Sequence, residues 1–312
     1  MVVSHLSNLE IGRPAVFAFF ALSGYWVTRM YVEKYSKFTD LSVFYASRAL
    51  RIFLPFLAAY LAFFILDAVI HGQADFSKLF GLAIFGIAST QNDVLGISWS
   101  LDIELQFYLL VPLIVFLSHM TYNARLAGIG IFGISMLLLP IGWILQLQSG
   151  LWTVFAYLPS FAIGVWIYLS GWKPSKRVAY LSAACFALIG IAVWGWADTR
   201  PLLLKDTPSP FHEDWFGMAW TAILAPFYAY NVRQRSSHLD RHYGNLSYAL
   251  YITHWPTIAI FSEFSGPIGS WDKPLVLIIV AVVGVAFYKI VEVPSEIFRA
   301  SIVTRLSARK QT

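Results

Sequence analysis

Two arginines and two carboxylates have the most telling spacing in the chain. Arg48 and Arg51 are three residues apart, neighbours on one helix face, and present two planar donor forks of the kind that grips phosphate. As positive residues at a helix start they also have an ordinary topological reading. Asp102 and Glu104 stand in Ser98-Trp99-Ser100-Leu101-Asp102-Ile103-Glu104-Leu105-Gln106-Phe107-Tyr108, where helical spacing sets Leu101, Glu104 and Tyr108 on one face. That polar side can bind or catalyse. Equally, the acids can mark a helix entrance capped by Ser98 or Ser100 and steadied by the N-terminal dipole. The other ionisable residues in or beside apolar runs are His5, Glu10, Asp67, His119, His254, Glu263 and Glu292. Each is a functional hypothesis by default, because charge at bilayer depth is costly. His254, with Tyr248 and Tyr251 on its helix and Pro256 just beyond, reads first as a hydrogen-bonded staple between helices. Glu292 reads as the partner of a basic loop residue, and His5, taken alone, as a residue of the membrane interface.

The elements that must hold these residues are membrane helices. Of 312 residues, 58% are hydrophobic and 12% charged, against about 25% charged in soluble domains, and mean hydropathy is +0.64. A water-soluble globule is excluded. At about 20 apolar residues per crossing, the chain predicts an all-α polytopic bundle of roughly nine to ten spans. The expected spans are 14–32, 51–71, 99–118, 125–147, 151–170, 177–197, 215–231, 246–264 and 274–293. The run Leu79–Ile87 is too short to cross about 30 Å of hydrocarbon and reads as an interfacial or re-entrant piece. With it uncounted, the basic clusters fall on one side. These are Arg29 through Arg51; Lys173, Lys176 and Arg177; Arg233, Arg235 and Arg241; and Arg305, Arg309 and Lys310. Short cytoplasmic loops collect such residues, so this side and the C-terminus are expected in the cytoplasm. The opposite side then holds 72–98, 197–214 and 265–273, and residues 1–13 look like the outer end of a first span whose earlier part lies upstream. Residues 1–312 read as a single integral-membrane domain.

Several motifs, in order, resemble the integral-membrane acyltransferase-3 family. Residues 98–108 look like its Trp-Ser-Leu-x-x-Glu-x-x-Phe-Tyr signature, built here on Trp99, Glu104 and Tyr108. Phe19-Phe20-Ala21-Leu22-Ser23-Gly24-Tyr25 is similar to its Phe-Phe-x-x-Ser-Gly-Phe. Phe44-Tyr45-x-x-Arg48-x-x-Arg51-Ile52-x-x-Pro55 is similar to its basic loop. Leu246 through Pro256, with His254, resembles the late Ser-Tyr-x-x-Tyr-x-x-His motif, and Val291-Glu292-Val293-Pro294 the closing Glu-x-Pro. The family's proposed catalytic histidine lies in a setting like Val2-Val3-Ser4-His5, preceded about ten residues earlier by an arginine that this chain does not contain.

The resemblance implies an acyltransferase that acylates sugars and other hydroxyl compounds, in the bacterial inner (plasma) membrane, with no tightly bound cofactor and no metal. Its donor would be acyl-CoA, specifically acetyl-CoA. Removing a proton from an alcohol in step with attack on a thioester calls for a base near neutrality. An imidazole, with unperturbed pKa about 6.5, fits, and a carboxylate such as Glu10 or Glu104 can fix its tautomer. On this view His5 is the base and Glu104 orients the site. Arg48 and Arg51 receive the donor phosphates, and Glu10, Ser23, Trp99, Tyr108, His254 and Glu292 support them. The partners are the bilayer and a carbohydrate or glycolipid acceptor.

A permease for a small anionic or acylated solute fits the same composition, although the sequence carries no pseudo-symmetric halves. There is no Gly-rich phosphate loop, no Gly-x-Ser-x-Gly elbow and no His-Glu-x-x-His zinc motif. Basic residues hug membrane edges, which argues against nucleic acid. The single cysteine, Cys185, excludes internal disulfides and Cys-based metal sites. The sequon Asn245-Leu246-Ser247 falls on the expected cytoplasmic side and reads as chance.

Overall fold

The computed structural model describes residues 2–35, 40–88, 93–205, 207 and 212–308. Lys37, Arg309 and Lys310, counted above among the basic clusters, lie outside the described residues, as does the side chain of Arg241. The fold is all-helical, 80% helix, with no strand among the described residues. The helices are α1 (Val2–His5), α2 (Gly12–Lys34), α3 (Leu41–His71), α4 (Leu79–Ala83), α5 (Ser98–His119), α6 (Ala124–Ser149) and α7 (Leu158–Ser170). They continue with α8 (Lys176–Gly195), α9 (Glu213–Ala222), α10 (Ala225–Asn231), α11 (His238–Ser265), α12 (Lys273–Phe287) and α13 (Val293–Ala308), and a π-helical turn, Tyr288–Glu292, joins the last two.

Among the described residues six helices are long and apolar enough to cross a membrane: α2, α3, α5, α6, α8 and the continuous run from α12 through α13. The expected count of nine to ten is not confirmed, for reasons of helix length and of apolar character. The expected span 151–170 becomes α-helical only at Leu158, after a 3-10 turn at Val154–Ala156, leaving 13 residues in α7. The expected span 215–231 breaks at Ile223-Leu224 into α9 and α10, with Pro226 in the first turn of α10. At about 1.5 Å per residue such pieces fall short of about 30 Å of hydrocarbon. Helix α11 has the length but is less apolar along its course, and it is not among the six. Helix α4 has five residues and is likewise too short to span.

The chain forms two compact units and passes between them inside α5. The first comprises 3–34 and 109–235. Here α2 and α7 approach until their backbones touch: a Cβ on Gly24 would collide with the main chain of Phe161, and one on Gly164 with that of Ala21 and Tyr25. The Ser23-Gly24 dipeptide is thus a packing device that brings small residues to a helix seam. Phe20 stacks on Phe161 with centroids 4.4 Å apart, and Ala21, Tyr25, Ile167, Tyr228, Ala229 and Val232 form a buried apolar cluster beside them. Outside the helices, the backbone of 8–10 pairs with 203–205 around an antiparallel bridge, Leu9 to Leu204.

The second unit comprises 35–108 and 236–312. It packs α3 with α11 and α13, and α11 with α12. Phe56 of α3 stacks flat on Phe85, centroids 3.8 Å apart, and Tyr60 donates to the carbonyl of Lys78. Together these contacts fold the short α4 segment back onto α3. Ser237 and Asp240 close a reciprocal capping box at the start of α11.

Candidate active site

In the second unit the site begins at the N-terminus of α5. Asp93 makes that end: Oδ1 accepts from the backbone N–H of Leu95 at 2.8 Å and from Ser98 Oγ at 2.6 Å, and Oδ2 accepts from the backbone N–H of Ser98 at 2.6 Å. Asp93 therefore supplies the helix-end acceptor expected of Ser98 or Ser100. Burial pushes its carboxyl above the usual carboxylate range, while the bonds from Ser98, Leu95 and Gly96 pull the other way. Ser100 points elsewhere, donating to the carbonyl of Ile97 at 3.2 Å and pairing with the hydroxyl of Tyr251 on α11.

The two acids of the motif diverge. Asp102, fully buried, accepts at 2.5 Å from the backbone N–H of Gly86 and so ties α5 to the loop after α4. Glu104, also buried, accepts from the hydroxyl of Tyr108 one turn on, at 2.5 Å. The face set by helical spacing thus becomes a Glu104–Tyr108 pair. The guanidinium of Arg48 lies 6.0 Å over the ring of Tyr108 and within electrostatic reach of Glu104.

Arg48 itself makes no hydrogen bond or ion pair with a described residue, and its Nε is sealed from solvent. Arg51 is exposed, and Glu292, in the π-helical turn, lies within its electrostatic reach, with a buried Oε2 that has no partner among the described residues. Glu292 thus makes no ion pair within 4 Å with a described basic residue, in place of the close loop pair expected of it. The hydroxyl of Tyr248 donates to the carbonyl of Ile52 at 3.0 Å, holding α11 on the turn after Arg51. Trp99 is half-buried at the start of α5.

His254 is fully buried, and its Nδ1 lies 2.6 Å from the carbonyl of Tyr251 on its own helix. One turn earlier, Tyr251 staples α11 to α5 through its bond with Ser100. Asp67 and Glu263 gather at the other end of α3: Lys78 pairs with Asp67 at 2.7 Å, and His71 lies 3.5 Å from Asp67 and 3.6 Å from Glu263. At about 1.5 Å per residue this cluster is roughly 30 Å along α3 from Arg48. His119 is exposed at the end of α5.

In the first unit His5 is the last residue of α1 and half-buried. Its neighbour Ser4 is buried and donates to the carbonyl of Leu9 at 2.7 Å. The ammonium of Lys205 donates to the carbonyls of Ser4 and Ser7, and the backbone N–H of Glu10 donates to Leu203 at 2.9 Å. These bonds hold the segment that carries His5 and Glu10. Glu10 lies within electrostatic reach of Arg13, and Ser23 is buried in α2.

Sequence reasoning missed three residues. Arg13 pairs with the fully buried Asp214 at 2.5 Å, and its guanidinium lies 5.7 Å over Trp152. Nothing local signals that contact, since the partners are 201 residues apart. Arg299 on α13 binds Glu296 through two nitrogens and donates through Nη1 to the buried Ser47 Oγ at 2.5 Å. The i,i+3 spacing of Glu296 and Arg299 was a readable signal for the first of these bonds.

The family model described as an acyltransferase domain, acyltransferase-3, matches residues 1–289. No curated protein and no solved structure matches the chain. With apolar helices long enough to span a bilayer and a match over most of its length, the chain belongs to the acyltransferase-3 family and is a membrane protein that transfers acyl groups.

Proposed function

We propose that the chain is an O-acetyltransferase that moves an acetyl group from acetyl-CoA to a hydroxyl of a carbohydrate, such as a surface polysaccharide or glycolipid precursor. It works in the bacterial inner membrane with its C-terminus cytoplasmic. The observation that carries the donor half is Arg48, a cation whose Nε is shut off from solvent and bonded to no described residue. A guanidinium nitrogen shielded from water and left without an acceptor is costly. An arriving phosphate offsets that cost and fills the free donors of the fork, and Arg51, one turn on and exposed, meets the same anion first. Glu104 and Tyr108 orient this end of α5.

The acceptor half rests on His5. Its imidazole takes the proton of the acceptor hydroxyl as that oxygen attacks the thioester carbonyl carbon. The tetrahedral intermediate collapses with cleavage of the C–S bond, and the proton passes to the departing thiolate, giving CoA thiol and an O-acetyl ester. The apolar helices limit competing hydrolysis by excluding water. Membership in a family of acyl-group transferases favours this chemistry over the permease.

The test supplies labelled acetyl-CoA to membranes holding the wild type or His5→Ala. Wild type labels glycan as an ester released by mild alkali, and the alanine variant loses at least about a hundredfold, the usual scale for removing a general base. Unchanged labelling in the variant removes His5 from its role.

A further inference from the structure

Helix α13 lies beyond the matched region, which ends at residue 289, yet it is fastened to the arginine turn of α3. Arg299 donates through Nη1 to Ser47 Oγ at 2.5 Å, and Ser47 is fully buried. Ser47 immediately precedes Arg48 and stands four residues before Arg51, on the same helix face as the latter. The guanidinium of Arg299 is itself held by Glu296, Nε to Oε2 at 2.8 Å and Nη2 to Oε1, with only 14% of the Arg299 side chain exposed. Arg299 is within electrostatic reach of Arg48, and Glu296 within reach of both Arg48 and Arg51.

We infer that Arg299 is a positioning residue for the donor: through Ser47 it fixes the turn that presents Arg48 and Arg51, so phosphate recognition in this chain depends on the last described helix. A bare cation at this position would add repulsion to two arginines already close together. Glu296 offsets that charge, so the fork can serve as a brace. The same stretch of chain delivers Glu292 toward Arg51 and Arg299 to Ser47.

This inference rests on the donor reading given above, and the experiment separates the two. Purified full-length protein in nanodiscs is titrated with acetyl-CoA and with S-acetyl-pantetheine, which has the same thioester and no phosphate. Arg299→Ala is expected to weaken acetyl-CoA binding about tenfold, the scale of one charge-assisted contact, and to leave S-acetyl-pantetheine binding unchanged. Ser47→Ala, which keeps the cation and removes its anchor, is expected to weaken acetyl-CoA binding about threefold with the same selectivity. Equal weakening of both ligands, or acetyl-CoA binding at the wild-type level in both variants, overturns the brace. The Arg48→Ala/Arg51→Ala protein is the control for the donor reading. If it binds acetyl-CoA as the wild type does, that reading fails, whereas loss there with unchanged binding in Arg299→Ala removes the brace alone.

Discussion

Each unit sets a half-buried arginine beside carboxylates and aromatic rings, and the two arrangements are chemically opposite. In the first, Arg13 meets the fully buried Asp214 at 2.5 Å, with Trp152 under the guanidinium. The charges neutralise each other, and the pair ties α2 to the start of α9. In the second, Arg48 has a ring beneath it and Glu104 nearby, but no described residue closes an ion pair with it. Glu104 accepts instead from Tyr108. A closed pair holds a fold together. A guanidinium with a shielded Nε and no ion pair keeps donors to spare for an anion.

The comparison breaks most visibly at the closed pair. Asp214→Ala strands Arg13, and breaking a buried pair is strongly destabilising. Because Arg13 keeps 33% of its side chain in solvent, the expected loss is about 3 kcal/mol, the low end of that range. It is read as a lowered melting temperature in nanodiscs, and a melt within a degree of wild type contradicts the staple. Gly164→Ala follows. Its new methyl meets the backbone of α2, and overpacking of that kind costs about 2 kcal/mol, again read by thermal unfolding. Gly130→Ala, which meets nothing within 4 Å, is the neutral control.

Arg48→Ala sharpens the contrast because its effects divide. Acetyl-CoA affinity is expected to fall about tenfold, while the melting temperature stays near that of the wild type, since no ion pair is broken. A fall in stability matching that of Asp214→Ala would make the two arginines alike.

The smallest effect is expected at Asp93. Its folded-state pKa is raised by burial, so the neutral carboxyl is the form the fold prefers. The stability it contributes is fully present below the ordinary carboxylate value and is lost as pH climbs through the raised one. Melting temperature should therefore decline slightly as pH rises across that window in the wild type. Asp93→Asn, which cannot ionise, should show a flatter profile over the same range.

Much of this was legible in the sequence because helix periodicity is local. The spacing of Glu104 and Tyr108 put them on one face, and they bond there. The i,i+3 spacing of Arg48 and Arg51 put both at the start of the same long helix. What periodicity cannot carry is which element a face meets. The contact of Arg13 with Asp214 spans 201 residues, and that of Arg299 with Ser47 spans 252. Hydrophobicity alone also misjudged length: 151–170 and 215–231 are apolar enough, but Pro159 starts α7 late and Pro226 starts α10 anew. Those prolines were the available signals, since proline is favoured in the first turn of a helix.

The decisive measurement is transfer of labelled acetyl from acetyl-CoA to alkali-labile glycan esters by Arg48→Ala/Arg51→Ala across a wide range of donor concentration. If these arginines hold the donor's phosphates, the rate is lost at low donor and recovered at high donor, a raised KM with kcat largely kept. A rate depressed by the same factor at every donor concentration would contradict that role.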